Sequence, residues 1–294
     1  MIDYEENVDL SKLCTIRIGG TAKRVYFPKS VEDIIQLLKI SQDSGKKIIP
    51  LGVGSNTVFR DGILDHLFVS TSKLKRYEIE RSEDHAVITA EAGVSFKTLV
   101  SLVKRYNLEG FENLSGIPAS VGGAVAMNAG AFGSEIFDIV EQVEWIDSEG
   151  KLTVSSKDEI DYGYRYTQFQ KEGFIYRVKI KLRKSKRNIP QIIKEHLKER
   201  NIKQPLDLPT SGSTFKNPDG ISAGYLLDKA GLKGFRVGDV GFSEKHANFT
   251  VNYGHGSYDQ LKKLLETAEK LVGEYFGIKL EKEIRIVEHH HHHH

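Results

Sequence analysis

Three stretches of this 294-residue chain carry residue types that could do chemistry. In Ser211-Gly212-Ser213-Thr214-Phe215-Lys216-Asn217-Pro218 a hydroxyl, a cation and an amide fall within a few positions. No His-Asp pair is evident near Ser213 to make it a nucleophile, and the G-x-S-x-G elbow of hydrolases is missing. The Ser213 hydroxyl therefore reads as a hydrogen-bond partner or proton donor, set against the plainer reading of a Ser-Gly turn. The second stretch, Gly52-Val53-Gly54-Ser55-Asn56, follows the short apolar run Ile48-Ile49-Pro50-Leu51. Successive backbone N–H groups in such a turn can form an anion-binding nest. The dinucleotide fingerprint is not met, because Thr57 stands where its third glycine would be and Val58 to Gly62 does not read as an amphipathic helix. A pyrophosphate held here would have no helix N-terminus behind it.

The third stretch, Gly116 to Gly130, is apolar, rich in Gly and Ala and almost free of charge. Glycine allows backbone to approach another surface closely, so one reading is backbone laid flat against a large ligand. The other is a buried, tightly packed turn.

The elements that must position these residues follow from periodicity. Ser30 and Asp33 predict a helix N-terminus, with Ile34, Ile35, Leu37 and Leu38 as its apolar face, and strands are expected near Ile48 and Phe68. A second unit starts near Leu74, with a strand at Ala86–Ala90 and a helix from Ser95 to Tyr106. Val143–Ile146 and Leu152–Val154 flank Ser148-Glu149-Gly150 as a hairpin, and Phe174–Leu182 alternates as a half-buried strand. A polar linker at Lys184–Asn188 leads to a helix after Pro190 carrying Ile192, Ile193 and Leu197. The spacing predicts a long helix from Ser257 to Phe276, with Ser257 and Gln260 as a capping box, a stripe running from Leu261 to Tyr275, and Gly277 as its stop. A last strand is expected over Ile278–Val287.

Composition narrows the function classes. Basic and acidic residues number 42 and 40, too balanced for a global nucleic-acid field. The one dense basic cluster, Lys179 to Arg187, reads as a solvated strand face leading into the linker. The terminal histidines His289 to His294 are a tag. The others (His66, His85, His196, His246 and His255) lack metal-ligand spacing, and Cys14 is the single cysteine. The expectation is a soluble cytoplasmic protein with no metal, no membrane insertion and no obligate protein partner.

Taken together the motifs resemble the UDP-N-acetylenolpyruvoylglucosamine reductases, the MurB family. The resemblance runs through Thr15-Ile16-Arg17-Ile18-Gly19-Gly20, Leu51 to Asn56, Gly116 to Gly133 and Tyr164-Arg165-Tyr166. It continues through Gly212 to Pro218, Ala230 to Gly234, His246-Ala247-Asn248-Phe249 and Leu280 to Arg285. Ala119, Phe132 and Thr167 depart from the usual Gly, Tyr and Ser. The short span from Phe174 to Ser213 resembles the shorter family type, which lacks an inserted substrate-capping segment.

The resemblance implies an α+β fold. Two FAD-binding subdomains of the vanillyl-alcohol-oxidase (PCMH) type, at 1–72 and 73–186, precede a C-terminal α+β substrate domain at 187–288. It implies non-covalent FAD, NADPH as hydride donor, and UDP-N-acetylglucosamine enolpyruvate as substrate. Ser213 would be the proton donor, Glu283 would be a protonated or donor-orienting carboxyl, and Arg165 would pair with the substrate carboxylate. Gly52, Val53, Gly54, Ser55 and Asn56 would hold the pyrophosphate. Gly116, Ile117, Pro118, Ser120, Gly122, Gly123, Asn128, Ala129 and Gly130 would lie along the flavin, with Arg17 and Gly19 as further contacts. By residue type, Arg200, Lys216, Asn217, Lys233 and His246 are the expected contacts of the anionic UDP or nicotinamide phosphates, and Tyr164 joins them as an expected substrate contact. Without the resemblance, Arg165 reads as a surface ion pair, Glu283 as an exposed strand residue and Ser213 as a turn former. The rival functions are another FAD-dependent oxidase of the same fold and a non-catalytic flavin-binding protein.

Overall fold

The computed structural model describes residues 1–288; the histidine tag at 289–294 lies outside them. The chain divides into two compact units. The first comprises residues 1–6, 24–53 and 66–198, and the second 7–23, 54–65 and 199 onward.

The first unit contains two sheets. In one, the strands run in the order Asp3–Asp9 and Thr21–Phe27, of which residues 3–6 and 24–27 lie in this unit, then Leu67–Ser70 and Ile48–Leu51, and the last three are parallel. Parallel strands need a crossover, supplied by helix α1, Val31–Ser44. Ser30 caps it by accepting from the Asp33 N–H at 3.2 Å, and Gly45 closes it at φ 72°. Ile34, Leu37 and Leu38 are buried against Leu67, Val69, Leu74 and Phe174.

The second sheet is antiparallel, in the order Leu152–Ser156, Val140–Ile146, Phe174–Lys184, His85–Glu91, Tyr77–Arg81. Alternation along Phe174–Lys184 puts Val178, Ile180 and Leu182 into the core and leaves lysines at the surface, as period-2 patterning requires. Helix α2, Phe96–Tyr106, is capped by Ser95 and buries Phe96, Leu99, Leu102 and Val103 in that core. The glycine segment contains a helix that its composition did not announce: α3, Val121–Met127, capped by Ser120 and closed by Asn128 at φ 49°. Helix α4, Ile189–Lys203, begins in this unit and buries Ile189 and Ile193, whereas Leu197 is 49% exposed and takes no part in its apolar face.

The second unit is built on an antiparallel sheet in the order Thr210–Ser213, Phe249–Asn252, Val240–Phe242, Arg236–Val237. It also carries helix α5, Ala223–Lys229, and helix α6, Tyr258–Phe276. The expected capping box is present in α6: Gln260 N–H donates to Ser257 Oγ at 3.2 Å and Ser257 N–H to Gln260 Oε1 at 3.1 Å. Leu261, Leu264, Leu265, Ala268 and Val272 are buried, but Tyr275 is 67% exposed, so the stripe ends one turn early. The expected last strand shrinks to Arg285–Val287, parallel to Thr57–Phe59. Residues 278–284 are irregular because their backbone groups serve another segment, as described next.

Candidate active site

Within the second unit, Ser213 ends the strand Thr210–Ser213. Thr210 pairs with Val251 and Ser213 with Phe249, so the first strand carries one extra residue. Gly212 occupies it at φ 74°, a left-handed geometry that glycine adopts without strain. Such a bulge re-aims the side chain that follows. Ser213 is half-buried, and its hydroxyl makes no hydrogen bond within the described residues. Beside it, the fully buried Thr214 shares a 2.7 Å hydroxyl contact with Thr250.

Glu283 reaches the same place through backbone: its N–H donates to Thr214 O at 2.8 Å, and Lys216 N–H donates to Glu281 O at 2.8 Å. Asn56 binds the segment twice, donating from Nδ2 to Glu283 O at 3.3 Å and accepting from Arg285 N–H at 2.8 Å. Ser213, Glu283 and the Gly54–Asn56 end of the glycine loop are therefore joined in one backbone network. Gly54 sits at φ 77°, and a Cβ there would lie 2.0 Å from Leu13 O. Thr15 N–H donates to Gly54 O at 2.9 Å, and Thr15 Oγ1 donates to Thr210 O at 2.6 Å. Gly19 is packed on Phe59, and Arg17 is exposed at φ 61°.

The cationic set is spread over the unit. Lys216 lies 3.5 Å from Glu281, and Asn217 Oδ1 accepts at 2.9 Å from the N–H of Ala223, the first residue of α5, whose cap is Ser222. Lys233 is exposed. His246 is half-buried, and its Nδ1 accepts from Asn248 N–H at 3.2 Å. Burial, and after it the Lys233 cation, holds its imidazole below the usual histidine value. Arg200 is 9% exposed and its Nε has no hydrogen-bond partner among the described residues; burial pulls its guanidinium down from the ordinary value. A buried donor left unpaired is costly, which is the condition under which an arriving anion binds well.

In the first unit, the glycine segment answers both of its readings. A Cβ on Gly52 would lie 2.5 Å from Ser120 Oγ, one on Gly122 2.7 Å from Ala92 Cβ, and one on Gly130 2.7 Å from Arg165 Nη1. These three glycines are explained by the protein's own packing. Gly123 is exposed and meets only Ser120 Oγ at 3.2 Å. Pro118 and Gly52 are exposed, Val53 is 42% exposed, and Gly116 and Ile117 are half-buried. The N–H groups of Gly52 and Val53 donate to nothing among the described residues. An apolar, uncharged surface with available backbone donors fits a flat, partly anionic cofactor such as a flavin dinucleotide. Ala129 and Asn128 are buried, and the Asn128 side chain is spent on Gly163 O (2.7 Å) and Phe137 N–H (3.3 Å). Arg165 is half-buried, and its guanidinium stands 4.9 Å from the exposed Tyr164 ring.

A family model described as the C-terminal domain of UDP-N-acetylenolpyruvoylglucosamine reductase matches residues 204–287, and one described as an FAD binding domain matches residues 22–156. The chain is 43% identical to the UDP-N-acetylenolpyruvoylglucosamine reductase of Aquifex aeolicus, over 97% of this chain and 95% of that protein. The chain belongs to this reductase family. Identity to the Caldanaerobacter subterraneus enzyme of the same name is 36%, over 96% of this chain and 92% of that one. The crystal structure of the Thermus caldophilus reductase, MurB, superposes with a TM-score of 0.82 at 32% identity, covering 98% of this chain and all of that one (100%).

Sequence reasoning singled out the reductase motifs but missed what several of their residues do. Asn248, 4% exposed, brackets Phe215: its Oδ1 accepts from Phe215 N–H (3.0 Å) and its Nδ2 donates to Phe215 O (2.9 Å). It thereby holds the loop that carries Ser213 and Lys216. Arg285 donates from Nη2 to Thr57 Oγ1 at 3.2 Å. The residue as a whole is half-buried, and desolvation pushes its guanidinium down to about 10. No periodicity signal marks either residue, because each acts through a partner distant in sequence.

Proposed function

We propose that this protein reduces UDP-N-acetylglucosamine enolpyruvate to UDP-N-acetylmuramate in the cytoplasm, with non-covalently bound FAD and NADPH as hydride source. Residues 1–72 and 73–186 would hold the cofactor and 187–288 the sugar nucleotide. When bound, the flavin relays a hydride from NADPH to the methylene carbon of the enol ether.

The residues of this chain do the rest. The exposed Gly52 and Val53 N–H groups receive the pyrophosphate, and the surface around Ile117, Pro118 and Gly123 receives the flavin. Hydride addition turns the methylene into a methyl group and drives charge into the substrate carboxylate. Arg165 pairs with that carboxylate through its planar fork, a contact of the preorganised kind worth about 3–4 kcal/mol. Glu283 orients the proton donor. Ser213 delivers a proton to the ether-bearing carbon, completing the lactyl group, and regains one from water; a positioned acid of this sort contributes about 10²–10⁴-fold. Arg200, Lys216, Asn217, Lys233 and His246, with Tyr164, meet the phosphates and sugar.

The observation that carries the reading is Ser213: a bulge presents it, its hydroxyl has no hydrogen-bond partner among the described residues, and the Glu283 backbone is bonded to the next residue. The test is visible absorption under anaerobic conditions. NADPH should bleach the flavin band, and the enol ether should restore it. Recovery only on admitting air would retain the cofactor and discard the substrate; failure to take up FAD would remove the flavin reading.

A further inference from the structure

The strands Tyr162–Gly163 and Tyr166–Thr167 form a hairpin whose loop is Tyr164-Arg165. Arg165 adopts φ 50°, a left-handed conformation uncommon for an arginine. Such a residue persists only where its surroundings over-determine it. Here the surroundings are the carboxyl end of α3. The hydroxyl of Thr167, which is fully buried (0% exposed), donates to Ala126 O. On the other strand, Gly163 O accepts from Asn128 Nδ2 at 2.7 Å. Each strand of the hairpin is thus clamped once. The Arg165 guanidinium then folds back, donating from Nη1 to Asn128 O (3.3 Å) and from Nη2 to Gly130 O (3.1 Å). Gly130 leaves room for it, since a Cβ there would lie 2.7 Å from Nη1. Carbonyls in the last turn of a helix lack intrahelical donors, so α3 gains from the clamp as the hairpin does.

We propose that Thr167 is a positioning residue for Arg165: its hydroxyl fixes the hairpin to the end of α3 and thereby sets where the guanidinium meets the substrate carboxylate. This rests on the reading of Arg165 given above. The geometry assigns the role to the hydroxyl, not to the bulk of the side chain. Thr167→Val removes the donor at nearly constant shape, and Thr167→Ser retains it.

The experiment uses the flavin-loaded protein and two ligands, UDP-N-acetylmuramate, which bears the carboxylate, and UDP-N-acetylglucosamine, which does not. Calorimetric titration gives both affinities, and steady-state assays give kcat and KM. In Thr167→Val, binding of UDP-N-acetylmuramate relative to UDP-N-acetylglucosamine should fall about 10-fold or more, with a comparable fall in kcat, while Thr167→Ser stays within about 2-fold of wild type. Bleaching by NADPH should keep its rate. Fluorescence of Trp145, whose ring lies 5.4 Å from that of Phe169, checks that the neighbourhood is folded. Unchanged relative affinity in Thr167→Val overturns the proposal, as does equal loss of both ligands without rescue by serine, which would mark a purely structural hydroxyl. Arg165→Met is the separate control: if it keeps the preference for the carboxylate-bearing ligand, the reading of Arg165 fails, whatever Thr167 does.

Discussion

The glycine segment Gly116–Gly130 and the segment Ser211–Pro218 both interrupt regular structure with small residues, but for opposite reasons. In the first, Gly122 is small because Ala92 occupies the space a side chain would take, and Gly130 because Ser134 O and then the Arg165 guanidinium do. The polar groups are consumed internally: Ser120 caps α3, and Asn128 bridges Gly163 and Phe137. In the second, Gly212 is small because a bulge needs a left-handed residue, and the polar side chain that follows is left unengaged. Small residues in one place close a structure; in the other they open a reactive group. The type of residue alone does not distinguish them. What distinguishes them is whether the neighbouring hydroxyl has a partner.

That contrast can be broken by substitution. The largest effect expected is for Ser213→Ala. It should slow recovery of the flavin band by the enol ether about 10²–10⁴-fold while leaving bleaching by NADPH and the thermal midpoint close to wild type. Equal slowing of both steps in stopped-flow absorption would make Ser213 a turn former after all.

Next are the glycines. Gly54→Ala places a Cβ 2.0 Å from Leu13 O at a left-handed φ, and should cost about 2 kcal/mol or more of folding stability, read as a lowered thermal midpoint of the flavin-free protein. Loss of FAD in that variant would therefore say nothing about cofactor contact. Gly123→Ala is the cleaner probe. Its helical position lets it gain up to about 1 kcal/mol of stability, yet a side chain there should lower the ratio of flavin to protein absorbance. Full flavin retention in Gly123→Ala and in Gly123→Leu would take that face away from the cofactor.

A smaller effect concerns His246. Its imidazole is held below the ordinary value of 6.5 in the folded protein, by burial first and Lys233 second. The unfolded chain then binds more protons just below that value, so stability should rise with pH through this window and decline as pH falls. Denaturant titrations at several pH values should show the slope in wild type and a flatter one in His246→Gln. The smallest change is expected for Glu281→Gln. Its carboxylate is 75% exposed beside Lys216, and such surface pairs contribute about 0–1 kcal/mol. A larger shift in the denaturation midpoint would mean that Lys216 depends on Glu281 for its placement.

Much of the scaffold was legible because local rules sufficed. Ser30 and Ser257 cap helices where Ser-x-x-polar patterns stand, and Gly277 stops one of them. Helix α3 was not legible, since an Ala-Gly run has too little periodicity to separate helix from turn. The stripe of α6 was overextended to Tyr275 because periodicity does not show where the sheet beneath a helix ends.

The sequence by itself determined the family through the order of its motifs, the identity of the candidate hydroxyl, carboxyl and guanidinium, and the elements whose caps and apolar periods are local. Tertiary structure alone decided that residues 7–23 and 54–65 fold with the C-terminal residues. It also decided that Asn56 and Thr214 bind the backbone of Glu283, that Asn248 brackets Phe215, and that Thr167 and Asn128 clamp the Arg165 hairpin. The reason is physical. Caps and periods act over three or four residues, whereas these hydrogen bonds join groups tens to hundreds of residues apart, whose partners exist only once the chain has folded.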